Sequence, residues 1–127
     1  MAKKGRFEDT LVIYHSADDR CWIAHSLETD QVGTGNSIVD AMADAIKAVH
    51  QVFALAREDR TIAYRRRAPR EIFAIRKHAK RLPGEFFEVA HKKVHGKWPQ
   101  NLKLDIAPKA GSDAFTAEIR EDDLCKT

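Results

Sequence analysis

From Ser37 to Ala56 the apolar side chains return every three or four residues. Ile38, Met42, Ala45, Ile46, Val49, Val52, Phe53 and Ala56 form one stripe, while Asp40, Asp44, Lys47 and Gln51 line the opposite side. That spacing predicts an amphipathic helix with a single face to bury. Ser37 is a suitable N-cap, and Asp40 three residues later supplies an acidic form of the capping box. The acids fall at the N-terminal end, where the helix dipole favours them. The helix is expected to run to about Arg57. A helix with one apolar stripe must lie on another layer, and the residues before it have the pattern of a sheet.

Residues 10–15 (TLVIYH) and 21–27 (CWIAHSL) are rich in β-branched and aromatic side chains and read as strands. Asp18 and Asp19 supply turn chemistry between them. In the second strand Cys21, Ile23, His25 and Leu27 share one face and Trp22, Ala24 and Ser26 the other. Neither face is wholly apolar, so the pattern does not choose the buried one. Residues 28–30 turn the chain again, and residues 31–35 form a short third strand. Gly33 and Gly35 there are free to adopt unusual backbone angles in a strand-to-helix turn.

Signals weaken after Asp59. Residues 61–64 fit either a fourth strand or a loop. Pro69 stands where a helix can begin, giving a short helix over 70–80 with Ile72, Phe73, Ile75 and Ala79 inward. Pro83 and Gly84 break it, and a second short helix follows over 85–95. Leu102, Leu104 and Ile106 alternate, as do Phe115, Ala117 and Ile119, with a polar stretch between them. The pair predicts a C-terminal β-hairpin. The fold class expected is therefore α+β. A three-stranded antiparallel sheet, with room for a fourth strand, packs on one amphipathic helix, and two short helices and a hairpin follow. Residues 1–64 form the first unit, and residues 65–127 a basic extension packed on the same core.

The 127 residues carry 43% hydrophobic side chains, enough for one modest core, and 32% charged ones. The net charge of +3 hides a strong local bias. Residues 57–103 hold 14 Lys and Arg against 5 Asp and Glu, and the flanks are acidic in balance. Such a distribution points to an anionic partner or to internal pairing. Cys21 and Cys125 form no spacing pattern, as expected in a reducing compartment. No apolar run matches a signal peptide or a membrane span. A cytoplasmic protein with no membrane association is expected.

Candidate chemistry is sparse. His91 and His95 are spaced for one helix face, but Lys92 and Lys93 between them would repel a cation and no third ligand is evident, so no metal site is expected. His15 and His25, on adjacent strands, have the type of pair that cleaves RNA by acid–base catalysis, which gives a small His-dependent ribonuclease as one alternative. Asp18–Asp19 and Asp122–Asp123 sit in a turn and a tail, neither a rigid pair. Gly33-Thr34-Gly35 lacks the remaining residues of a phosphate cradle. No cofactor is expected. Arg65, Arg66, Arg67, Arg70, Arg76, Lys77, Lys80 and Arg81 are the one strong electrostatic feature. They suit either a solvated helix face or a nucleic-acid-binding module, the second alternative.

The stretch 11–49 resembles the HicB-like antitoxin domain. Cys21-Trp22-Ile23-Ala24-His25-Ser26-Leu27-Glu28-Thr29-Asp30 is similar to that family's second strand, C-W-[IV]-A-x-x-L-E-x-D. Gly35-Asn36-Ser37 followed by Asp40-Ala41 is similar to its helix start, G-[DN]-[ST]-x-x-[ED]-A, and Ala68-Pro69 falls where longer members carry Ala-Pro. The resemblance implies a trimmed RNase H-like unit without the catalytic acids. It also implies a non-enzymatic role: an antitoxin that covers a small RNA-cleaving toxin of HicA type. The order of elements after the main helix does not fit a ribbon-helix-helix operator-binding module. Contacts to a partner are expected from Tyr14, Trp22 and His25, through the sheet edge or an exposed sheet face, in a protein expected to form a homo-oligomer.

Overall fold

The structure, a computed structural model, describes residues 8–59, 61, 65–94 and 114–120. Its centre is a strand, β1 (Glu8–Ser16), that pairs antiparallel on both sides. On one side lies β2 (Cys21–Ser26), reached through a tight turn in which Arg20 takes a positive φ of 53°. Beyond β2 comes β3 (Val32–Gly35), also antiparallel. A long helix, α1 (Ile38–Glu58), then crosses the sheet, followed by a short helix, α2 (Arg70–Arg76). The two-residue strand β4 (Lys80–Arg81), helix α3 (Gly84–Val94) and strand β5 (Phe115–Arg120) complete the order.

The sheet is mixed and five-stranded, in the order β3-β2-β1-β5-β4. The α+β class is as expected, and the sheet differs in detail from the expected three antiparallel strands, with room for a fourth, followed by a C-terminal hairpin. The second arm of that hairpin is β5, whose neighbours are β1, antiparallel along its whole length, and β4, parallel at Phe115 and Thr116. Parallel neighbours cannot be joined by a tight turn, and α3 lies in the crossover between them. The first arm, residues 102–106, and most of the expected fourth strand, residues 62–64, lie outside the described residues.

Register separates the two faces. Leu11, Ile13, Trp22, Ala24, Phe115, Ala117 and Ile119 share the face that packs under α1 and α3, in one cluster with Ile38, Met42, Ile46, Val49, Phe53, Phe86 and Val89. The opposite face carries a smaller cluster. Val12, Leu27, Ala68 and Ile72 are buried there, with Tyr14, Phe73 and Ile75 against them. So α2 covers part of the side of the sheet that α1 leaves bare. This answers the ambiguity of β2, since both of its faces are covered in part.

The stripe of α1 behaves as its spacing requires. Ser37 accepts a hydrogen bond from the Asp40 N–H at 3.1 Å, closing half of the capping box. The Asp40 carboxylate pairs with Lys93 of α3. Gly33 and Gly35 serve close packing within β3, where a turn had been expected. A Cβ at Gly33 would stand 2.2 Å from the Ala45 nitrogen, and one at Gly35 would stand 2.5 Å from the Asp40 Cβ. The helix backbone therefore rests directly on the strand. The expected helix over 70–80 ends at Arg76, because Lys80 and Arg81 leave it to pair with β5.

Candidate functional site

The β2–β3 turn is built from polar side chains, each with a partner. Asp9 is buried, and its two carboxylate oxygens accept from the Glu28 N–H and the Thr29 hydroxyl, both at 2.9 Å. Thr29 also bonds Ser26, whose hydroxyl accepts the Gln31 N–H at 2.9 Å. Burial raises the Asp9 pKa above its ordinary value, against the lowering effect of these donors. Next to this network, His25 Nε2 lies 2.6 Å from the Asp30 carboxylate, and Asp30 holds a positive φ of 55°. The left-handed residue tightens the turn and aims the carboxylate back at the ring.

Of the three partner-contact residues expected, only Tyr14 keeps much surface. Trp22 is 3% exposed and sits in the core, with the His15 ring edge-on at 5.2 Å and Phe115 at 6.4 Å. It is a packing residue in this fold, since its strand position faces α1. His25 is 8% exposed and engaged with Asp30. Tyr14 is half-buried beside α2, and burial, with a smaller effect from Cys21, raises its hydroxyl pKa.

The proposed histidine pair does not assemble. His15 stands opposite Trp22 and His25 opposite Val12, an odd number of residues apart along the ladder, so the two rings lie on opposite faces. His91 stacks on Phe87 at 5.8 Å, and His95 lies outside the described residues. Among the described residues no group of three His, Cys, Asp or Glu could hold a metal ion. No helix there is long and apolar enough to cross a membrane.

What the structure adds is an open corner of the sheet. On the face that carries α2, Tyr14, Ile23 and Thr34 form a cross-strand row, with Val32 and Cys21 beside it. Val32 is 47% exposed, Thr34 is exposed, and Ile23 and Cys21 are half-buried. Ile23 and Val32 were not among the expected contact residues. Their signal in the sequence was alternation alone, which gives no hint of where α2 ends its coverage. The adjoining edge of β3 is partly closed. The Thr34 N–H points away from β2 and is held by the Asp44 carboxylate at 3.0 Å.

The basic residues are placed by two backbone bonds. Arg66 N–H donates to the Glu28 carbonyl at 2.8 Å and Ala68 N–H to the Leu27 carbonyl at 3.0 Å. These tie the chain to the β2–β3 turn before α2 begins. Arg65, Arg66, Arg67, Arg70, Arg76, Lys77, Lys80 and Arg81 are all exposed, and the Arg67 guanidinium lies 4.7 Å over the Phe73 ring. A groove of about 820 Å³ runs between α3 and β5, lined among others by Arg81, Phe87, Glu88 and Glu118.

In comparisons with known proteins the chain matches no family model, no curated protein and no solved structure. The fold and site together define an α+β protein with a mixed five-stranded sheet, helices on both of its faces, and, among the described residues, an open corner at β2 and β3.

Proposed function

We propose that this is a non-catalytic, HicB-like antitoxin or regulatory binding protein that masks a small RNA-cleaving toxin of HicA type. The observation that supports this most is the open corner formed by Tyr14, Ile23, Thr34 and Val32 on the sheet face that α2 covers only in part. The exposed Val32 beside half-buried Ile23 and Tyr14 on a rigid strand surface suits a protein partner. Docking runs across this face more than along the β3 edge. That edge is four residues long, and Asp44 already occupies one of its outward donors. The Cys-Trp to Glu-x-Asp motif would then serve the scaffold: Trp22 fixes the sheet to α1, and Asp30 fixes the turn.

The test is co-expression with a toxin-like neighbouring gene product. Growth should be restored and the two proteins should co-purify. Ile23→Glu together with Val32→Glu should weaken capture at least about tenfold, roughly 1.4 kcal/mol, with the melting temperature unchanged. Failure of both rescue and co-purification would remove the antitoxin role. A homo-oligomer belongs to the same proposal, and a monomer mass by light scattering would exclude it.

A further inference from the structure

Residues 65–81 carry eight Arg and Lys against one acid, Glu71. The fold decides where that charge goes. The stretch is pinned at the β2–β3 turn by Arg66 and Ala68, crosses β1 as α2, and ends as β4 at the far sheet edge. From β2 to β4 there are three strand intervals, about 14 Å. Every one of the eight basic side chains along that path is exposed. Six are Arg, whose flat guanidinium suits phosphate oxygens, and the Arg67 guanidinium carbon lies 4.7 Å from the Phe73 ring centre.

The path does not resemble a duplex reader. Helix α2 has seven residues, about 10 Å, and its Ile72 is buried against the sheet, so it does not stand out far enough to enter a groove. Beside it on the same face lies the half-buried ring of Tyr14. A line of arginines next to a sheet-borne aromatic is the arrangement that holds single strands. We infer that the track from Arg66 through Arg70 and Lys77 to Arg81 binds the phosphodiester backbone of a single-stranded nucleic acid. This inference does not rest on the toxin-masking proposal: the two share the Tyr14 ring, but that proposal is tested at Ile23 and Val32 and this one at the basic track.

The experiment is fluorescence anisotropy on the full chain with a labelled mixed-sequence RNA of roughly 20 nucleotides, the same sequence as single-stranded DNA, and its duplex. Binding to a single strand should weaken as salt rises, and the duplex should bind about tenfold less tightly. A preference between the two single strands identifies the source, and binding of either supports the inference. Arg70→Gln with Lys77→Gln should lower affinity about tenfold and reduce the salt slope. Lys47→Gln with Lys92→Gln removes the same charge from the α1–α3 side and should change affinity less than about twofold. Both pairs are exposed, and circular dichroism checks their folding. Equal losses in the two pairs, duplex binding as tight as single-strand binding, or displacement by poly-glutamate as effective as by RNA would each overturn the inference. The last result would assign the track to an acidic protein. Loss of nucleic-acid binding leaves toxin capture intact, and the Ile23 and Val32 substitutions leave nucleic-acid binding intact, so the two failures are distinguishable.

Discussion

Asp9 is the residue on which the β2–β3 turn depends. The residue is 1% exposed, and its carboxylate answers two donors, the Glu28 N–H and the Thr29 hydroxyl. Asp9→Ala leaves both without their partner and should cost about 2–3 kcal/mol in urea unfolding. The acid also leaves a pH signature. Its folded pKa is raised above 3.8, chiefly by burial, so the folded chain holds this proton more tightly than the unfolded chain. The stabilisation from that proton is complete below the unfolded pKa and is lost as pH rises through the folded one. Stability of the native chain relative to Asp9→Asn should therefore fall as pH rises from the ordinary carboxylate range through the raised folded pKa. A difference that rises with pH would show that the hydrogen bonds, and not burial, dominate.

At the scale of elements, the contact of α1 with β3 is set by missing side chains. An added methyl at Gly33 meets the helix backbone at 2.2 Å, and backbone cannot swing aside as a side-chain end can. Gly33→Ala should destabilise by about 3 kcal/mol or more, by overpacking. Gly84, the first residue of α3, has nothing within 4 Å of an added Cβ. Gly84→Ala should be neutral or stabilising by about 0.5 kcal/mol, through the unfolded chain. Thermal melts of the two variants side by side separate close approach from flexibility as the reason for each glycine. The Asp40–Lys93 pair between α1 and α3 is more than a third exposed on each side, so Lys93→Met should shift stability by less than about 1 kcal/mol.

The whole molecule is tied together by β5. It lies between β1 and β4, and Phe115, Ala117 and Ile119 enter the same cluster as α1 and α3. A chain ending at residue 113 would lose that wall of the core and leave the central strand β1 unpaired on one side. It should show no cooperative unfolding transition, whereas the full chain should unfold in a single one by both circular dichroism and tryptophan fluorescence. Two separate transitions in the full chain would mean that residues 1–64 fold as a unit of their own.

Local chemistry determined the elements. The three- and four-residue spacing after Ser37, the β-branched and aromatic residues of 10–15, the strand pattern of 21–27, and Pro69 before α2 act over one or two turns of chain. The structure bears them out as α1, β1, β2 and α2. The same locality made the basic run from Arg65 to Arg81 visible at once. Tertiary structure alone decided that β5 pairs with β1 across more than 100 residues, that a two-residue β4 exists, and that α2 takes the face opposite α1. It also turned Trp22 inward, put His15 and His25 on opposite faces, and left Ile23 and Val32 at an open corner. The reason is physical. Periodicity states which side chains share a face, but which face is covered, and by what, depends on contacts between segments far apart in the chain.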